Sequence, residues 1–287
     1  CASVYQFKKV ASGTTSALKK VDCFGSNCAA IGEGGLLLIS LDKGVTWNAV
    51  SSGSSNELFG VNVYEKTIFI TGENGLIKKS TDLGQSFTDI VIRNRDKVQW
   101  NGVLFFNNDT GIVCGSKLSI SFTNDGGITW KSSKYSFDSQ RSFYGFSAPA
   151  KNALYAVGDN NIQLSSDFGE NWNQISLSND NPDIKNLTDV YYASSTRAFI
   201  TGESSMLFSN NSIEWYDKAL YTSFGGLSFG TNNGLYAGRD VENERGKILE
   251  TLDSGVTWRQ IPLLNESVRF NDCFIIDESN SIIIGEG

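Results

Sequence analysis

Apolar and polar positions along this chain fall into short runs. "LFGVNVY" (Leu58–Tyr64) and "TIFITG" (Thr67–Gly72) are typical, rich in Val, Ile, Phe and Tyr and bounded by Gly, Asn or Asp. Runs of this kind predict strands. Nowhere is the apolar spacing of an amphipathic helix convincing. Each period keeps one order: a first strand, a second, a tight turn, then a third such as "GLIKKS" (Gly75–Ser80). A polar turn follows, and then a fourth strand such as "TWNAV" (Thr46–Val50).

The polar turn returns nearly word for word. It reads "SLDKGVTW" (Ser40–Trp47), "STDLGQSF" (Ser80–Phe87), "TNDGGITW" (Thr123–Trp130), "SSDFGENW" (Ser165–Trp172) and "TLDSGVTW" (Thr251–Trp258), with a shortened copy, "SNNSIEW", at Ser209–Trp215. The six copies begin at 40, 80, 123, 165, 209 and 251. A strand-rich period near 42 residues is the mark of a propeller blade, and repetition is required because one blade cannot bury its own face. In each copy the aspartate (Asp42, Asp82, Asp125, Asp167, Asp253) is placed to accept backbone N–H bonds within the turn. The glycine (Gly44, Gly84, Gly127, Gly169, Gly255) supplies a backbone angle that other residues resist. The aromatic (Trp47, Phe87, Trp130, Trp172, Trp215, Trp258) packs over the hairpin into the seam between blades.

The expected fold is therefore all-β: a seven-bladed propeller of four-stranded antiparallel blades. The approximate repeats are 16–56, 57–97, 98–141, 142–185, 186–221, 222–267, and 268–287 joined by 5–15, with residues 1–4 as a tether. Residues Tyr5–Val21 align with Val45–Val61, which places Phe7 where Trp47 stands and makes the N-terminus the outer strand of the closing blade. That blade lacks a third strand: either it is three-stranded or the sequence lacks its last few residues, and truncation is favoured.

Charge and chemistry narrow the function. The net charge of -7 and pI of about 4.8 disfavour nucleic acid as the main partner. The chain has no histidine, which removes the commonest general base and metal ligand. It has no CxxC pair either, so neither a metal site nor a cofactor is expected. Cys23 and Cys28 flank a four-residue hairpin loop, which predicts a disulfide in an oxidising compartment. Cys114 and Cys273 lie in apolar strands as inert core residues.

The pattern S-x-D-x-G-x-T-W resembles the Asp-box, or bacterial neuraminidase repeat. The whole period, best seen in "TGENGLIKKSTDLGQSF" (Thr71–Phe87), resembles the photosystem II stability and assembly factor family, which implies seven blades. A chain numbered from Cys1 resembles a mature bacterial lipoprotein, its thiol carrying the lipid. With Ala2 following, the resemblance implies the outer membrane, facing the periplasm or the cell surface. Sialidases share the repeat, but they grip a carboxylate with three arginines, the first in the first blade. Here the first arginine is Arg93, and the matching segment carries lysines, which lack the planar fork. No catalytic residue is assigned.

Recognition is expected on the face opposite the octapeptides, where the loops vary in length and the turn Gly238–Lys247 is enlarged. There an acid follows the second-strand glycine in five blades, Glu33, Glu73, Asp159, Glu203 and Glu286, with Ser116 and Arg239 in the other two. These form a candidate partner-binding rim, or simply solvated turn chemistry. The expected function is a monomeric, non-catalytic scaffold that binds a protein partner, such as a membrane complex or a basic segment. It would meet the membrane by its lipid anchor only. The alternatives are a sialidase-like glycoside hydrolase or a surface adhesin on the same blades.

Overall fold

Short apolar strands joined by tight turns can satisfy their backbone groups only by pairing with their neighbours, and they do so in sequence order. The computed structural model describes residues 7–133, 140–150, 153–175, 186–193, 197–203, 206–211, 214–218, 220, 222–263 and 268–286. The first blade comprises β1 (Leu18–Phe24), β2 (Asn27–Gly32), β3 (Leu37–Ser40) and β4 (Asn48–Val50). The second has β5 (Leu58–Tyr64), β6 (Thr67–Gly72), β7 (Ile77–Ser80) and β8 (Thr88–Asp89). The third has β9 (Trp100–Phe105), β10 (Gly111–Gly115), β11 (Ser119–Thr123) and β12 (Lys131–Ser132). The fourth has β13 (Phe143–Ala150), β14 (Ala153–Gly158), β15 (Asn161–Ser165) and β16 (Asn173–Ile175). The fifth has β17 (Asp189–Tyr192), β18 (Ala198–Thr201), β19 (Met206–Ser209) and β20 (Tyr216–Asp217). The sixth has β21 (Thr222–Phe229), β22 (Gly234–Asp240), β23 (Gly246–Thr251) and β24 (Arg259–Gln260). β25 (Arg269–Ile275) and β26 (Ser281–Glu286) pair only with each other.

The protein is thus an all-β propeller with six four-stranded antiparallel blades, where seven were expected. Each first strand packs against the first strand of the next blade, and β25 packs between β21 and β1, so the two-stranded sheet fills the last place in the ring. The expected outer strand does not form: residues 7–17 hold no strand, and Phe7 is 44% exposed. The reason is hydrogen bonding. An outer strand pairs onto a third strand, and among the described residues none lies beside β26. Residues 1–6, with Cys1 and the start of that strand, lie outside the described residues.

The octapeptides build the contacts between blades. In the first, Ser40 Oγ accepts from Gly44 N at 2.9 Å and donates to Asp42 Oδ1 at 2.8 Å. Asp42 then accepts from Thr46 N at 2.8 Å and Thr46 Oγ1 at 2.6 Å, and Trp47 Nε1 donates to Gly44 O at 3.0 Å. The Asp82, Asp125, Asp167 and Asp253 turns repeat the aspartate bonds, and Asn211 takes the aspartate's place in the shortened copy. Gly44 is left-handed (φ 84°), and a Cβ there would meet Ile282 Cδ1 at 2.7 Å. The other four glycines likewise face a side chain of the preceding blade: Ile39, Ile90, Ile112 and Phe199. Each turn therefore lies on the blade before it, and glycine is needed both for its angle and for the close approach.

The aromatics deepen the same seams. Trp172 packs with Ile112 and Ile120 of the third blade, and Trp215 with Tyr155 and Ile162 of the fourth. Trp258 meets Phe199 edge-on, with ring centroids 5.7 Å apart. Cys23 and Cys28 are register partners at the tip of β1–β2 and form a disulfide buried against Ile282 and Ile284. Cys114 and Cys273 are buried free thiols.

The indole hydrogen bonds separate two otherwise similar seats. Trp172 Nε1 donates to Gly169 O at 3.0 Å, whereas the buried Trp215 Nε1 has no acceptor among the described residues. Replacing each by Phe removes similar volume, so Trp172→Phe is expected to cost about 1 kcal/mol more than Trp215→Phe in urea unfolding. Equal losses would mean that the indole bond contributes nothing.

Candidate functional site

The first strands line the central channel, and one register position decides its chemistry. β-bulges at this level realign β1, β5, β9, β13, β21 and β25 against their second strands. The aligned residues are Lys20, Gly60, Gly102, Gly145, Asp189, Gly226 and Asp272. Four are glycines because the next blade lies too close for a side chain. A Cβ on Gly226 would overlap Asp272 Oδ1, and one on Gly145 would meet Asp189 Cα at 2.9 Å. The remaining three are charged. Lys20 reaches across the ring to Asp189 at 3.2 Å, so an ion pair between the first and fifth blades bars the channel.

Further side chains tie neighbouring first strands together. Asp272 Oδ2 accepts from Val21 N at 3.0 Å. Asp22 Oδ2 accepts from Val63 N at 2.6 Å and Asn62 Nδ2 at 2.9 Å. Asn62 Oδ1 accepts from Phe105 N, Ser228 Oγ from Ile275 N, and Tyr191 donates to Phe229 O. Around this polar belt lies a cavity of about 600 Å³ whose walls include Phe59, Tyr144, Phe146, Tyr191 and Phe274.

One lysine faces three carboxylates here, and the electrostatics follow. Burial pushes the Asp22 carboxyl up to about 7 against its three hydrogen-bond donors. Burial also lifts Asp272 to about 6, opposed by Lys20 and helped by Asp189. For Lys20, desolvation is outweighed by Asp189 and Asp272, which together hold the ammonium well above its ordinary value. Burial pushes the Cys114 and Cys273 thiols up, which keeps them unreactive. The carboxylates of the channel are engaged in holding strands, and among the described residues no cluster suits a metal.

The expected rim residues do lie at the opposite face from the octapeptides, where they hold strand ends. Asp159 Oδ2 accepts from Ser142 N at 2.8 Å, and Ser116 Oγ does the same for Gln99 N at 3.0 Å. Glu73 Oε2 accepts from Glu57 N at 3.5 Å, and Glu203 Oε2 from Asn186 Nδ2 at 2.6 Å. Glu286 receives Arg239 Nη2 at 3.3 Å. Glu33 is exposed in a 3₁₀ turn, Glu33–Gly35, and its N–H donates to Ala17 O at 3.4 Å. The glycine before each has a steric reason: a Cβ on Gly158 or Gly115 would lie 1.9 or 2.0 Å from the carbonyl oxygen of Ser142 or Gln99.

Sequence reasoning places the basic run Arg93–Lys97 on this face but misses what it meets. The acid series is interrupted at Ser116, and cations gather there. Arg95 Nη1 donates to Ser119 Oγ at 3.3 Å, and Leu118 N donates to Arg141 O at 3.0 Å. These contacts bring Arg95, Lys117 and Arg141 to one edge of the third blade, with exposed Arg93 and Lys97 in the same connecting loop. The run "RNRDK" was visible in the chain, but its meeting with Lys117 and Arg141 depends on the fold.

Known proteins share this architecture. Residues 96–184 match the family described as photosynthesis system II assembly factor YCF48. That span covers the third and fourth blades, with Lys97, Lys117 and Arg141 of the cation cluster inside it and Arg93 and Arg95 just before it. A solved "YCF48 from Cyanidioschyzon merolae" superimposes with a TM-score of 0.76 at 17% identity, covering 97% of this chain and 95% of that one. A structure described as "YCF48 bound to D1 peptide" gives 0.73 at 17% identity, covering 95% and 90%. The glycoside hydrolase GH74 of Niastella koreensis gives 0.72 at 13% identity, covering 95% of this chain and 52% of that enzyme. No curated protein sequence matches. These likenesses to YCF48 and GH74 structures establish the propeller fold.

The raised carboxyls make stability depend on pH. Between the ordinary carboxylate value and about 7, the folded state holds protons on Asp22 and Asp272 that the unfolded chain releases. Their contribution to stability therefore falls as pH rises through that window. The turn aspartates Asp42, Asp82 and Asp125 act in the opposite sense: bonds from the residue four ahead hold them near 2, so their stabilisation is lost below the ordinary value. Asp22→Asn keeps an acceptor for Val63 N and is expected to flatten the fall between about pH 4 and 7. The check is the urea midpoint against pH; an unchanged slope would remove Asp22 from the account.

Proposed function

We propose that this protein is a non-catalytic scaffold that binds a protein segment on the face opposite the octapeptides, at the edge of the third blade. The observation that carries this reading is the gathering of Arg93, Arg95, Lys97, Lys117 and Arg141 around neutral Ser116 on a face otherwise studded with acids. Such a sector attracts an acidic segment or a chain-terminal carboxylate, and arginine provides the bidentate grip. The match to the YCF48 family over residues 96–184, which hold Lys97, Lys117 and Arg141, supports the reading, as does the peptide bound to one YCF48 structure. In this proposal the acids serve the fold and discriminate against wrong partners, in place of the basic-segment collar expected from sequence.

The proposal extends to setting. The octapeptides are Asp-boxes in the sense of the bacterial repeat, and the setting is the bacterial outer membrane. The repeated turn supports the first of these points.

The experiment is a crosslinking capture in native membranes that compares wild type with two charge reversals. The Arg95→Glu/Lys117→Glu/Arg141→Glu protein is expected to lose a stoichiometric partner, and Glu33→Lys/Glu73→Lys/Glu203→Lys to keep it. Loss only in the second variant would move the site to the acids. Capture of nothing by wild type would overturn the scaffold.

A further inference from the structure

One charge in the channel exceeds what the strand ties require. Asp22, Asn62 and Ser228 each stand two residues past the aligned level, in the first, second and sixth blades. Each side chain accepts from the equivalent backbone group of the next blade: Val63 N at 2.6 Å, Phe105 N at 3.0 Å and Ile275 N at 2.8 Å. Asparagine and serine thus make with neutral groups the tie that aspartate makes in the first blade. The tie calls for an acceptor and not for a charge, and a charge removed from water without a counter-ion is costly.

That counter-ion is missing from the channel. Lys20 turns to Asp189, and the groups that hold the Asp22 carboxylate are the neutral Val63 N, Cys23 N and Asn62 Nδ2. The charged group that acts on it most is Asp272, another acid. β1 leads from Asp22 to a hairpin whose Ser26 O accepts from Lys43 N of the first octapeptide, so Asp22 lies on the octapeptide side of the Lys20–Asp189 bar. It shares the walls of the cavity of about 600 Å³ with Phe106, Tyr191 and Phe274, all half-buried. Residues two apart on a strand share a face, so Phe24 and Tyr64 stand beyond Asp22 and Asn62 toward the mouth. Their ring centroids are 4.9 Å apart, and Phe24 is 42% exposed. Aromatic faces attract cations, more strongly where water is excluded.

We propose that the octapeptide side of the channel is a binding site for a small organic ammonium, a free amine whose cation pairs with Asp22 while its alkyl chain lies against Phe106, Tyr191 and Phe274. A cavity of this size takes a small molecule whole. The carboxylate supplies selectivity for the charge, and the aromatic walls supply the apolar contact. The site lies across the Lys20–Asp189 bar from the cation sector of the third blade, so either proposal can fail alone.

The test titrates pentylammonium into the protein by calorimetry at a pH above the raised Asp22 value of about 7. Saturable binding with a Kd below about 1 mM is expected, with a shift of the amide resonance of Val63, whose N–H bonds Asp22. Neutral pentanol is expected to bind at least about tenfold more weakly. The same loss is expected for pentylammonium with Asp22→Asn, which keeps an acceptor for Val63 N, whereas the third-blade charge reversal is expected to bind like wild type. The proposal is overturned if pentylammonium does not saturate, if pentanol binds as tightly, or if the resonances that move lie on the opposite face. It is also overturned if a folded Asp22→Asn protein binds unchanged; should that variant not fold, the pentanol comparison and the Val63 resonance decide. A peptide with one central lysine that binds more tightly than the amine would overturn the free-ligand assignment in favour of a protein side chain.

Discussion

Everything in this propeller depends on one contact: the octapeptide turn of each blade lying on the blade before it. The turn is rigid because Ser or Thr and Asp bond its backbone, and it is close because glycine removes the Cβ that would strike an isoleucine or phenylalanine opposite. The tryptophan then covers the seam, and buried aromatic area is the largest packing contribution a strand-poor turn can make. A single four-stranded sheet has two apolar faces and cannot be stable alone. The octapeptide turns that requirement into a direction, each blade requiring its predecessor.

A second constraint acts at the axis. Seven first strands converge there, so most positions at the narrowest level are glycine, and the side chains that remain are charged and shared between blades. Lys20 and Asp189 bar the channel, and Asp22 and Asp272 bind the strands of the next blade at the expense of raised proton affinity. Charge here serves closure of the ring. This is why the most perturbed carboxyls of the molecule are poor candidates for catalysis despite their position in a cavity.

The loop face combines both kinds of charge for different ends. Asp159 and Glu73 accept from backbone N–H groups at strand starts, Glu203 and Glu286 bond side chains, and the cations of the third blade lie in the connections and turns of the same face. Loops on a rigid scaffold are where recognition develops.

What the sequence determined by itself was local. The octapeptide's bonds close within eight residues, so its turn, its period and the all-β propeller were legible before any contact was known. The placing of Asp42, Gly44 and Trp47 in their roles needed only turn chemistry. The second-strand glycine and its acid were visible too, but their purpose was not, because a carbonyl at about 2 Å from an absent Cβ leaves no mark on the chain. Tertiary structure decided the rest. It brought Lys20 to Asp189, 169 residues away, Arg95 to Ser119, and Arg141 to Leu118. It also left Phe7 outside any strand, since an alignment of chain ends cannot supply the third strand onto which an outer strand must hydrogen-bond. Local bonds are encoded by spacing; meetings across a ring are set by how many blades close it and by which strands are there to pair.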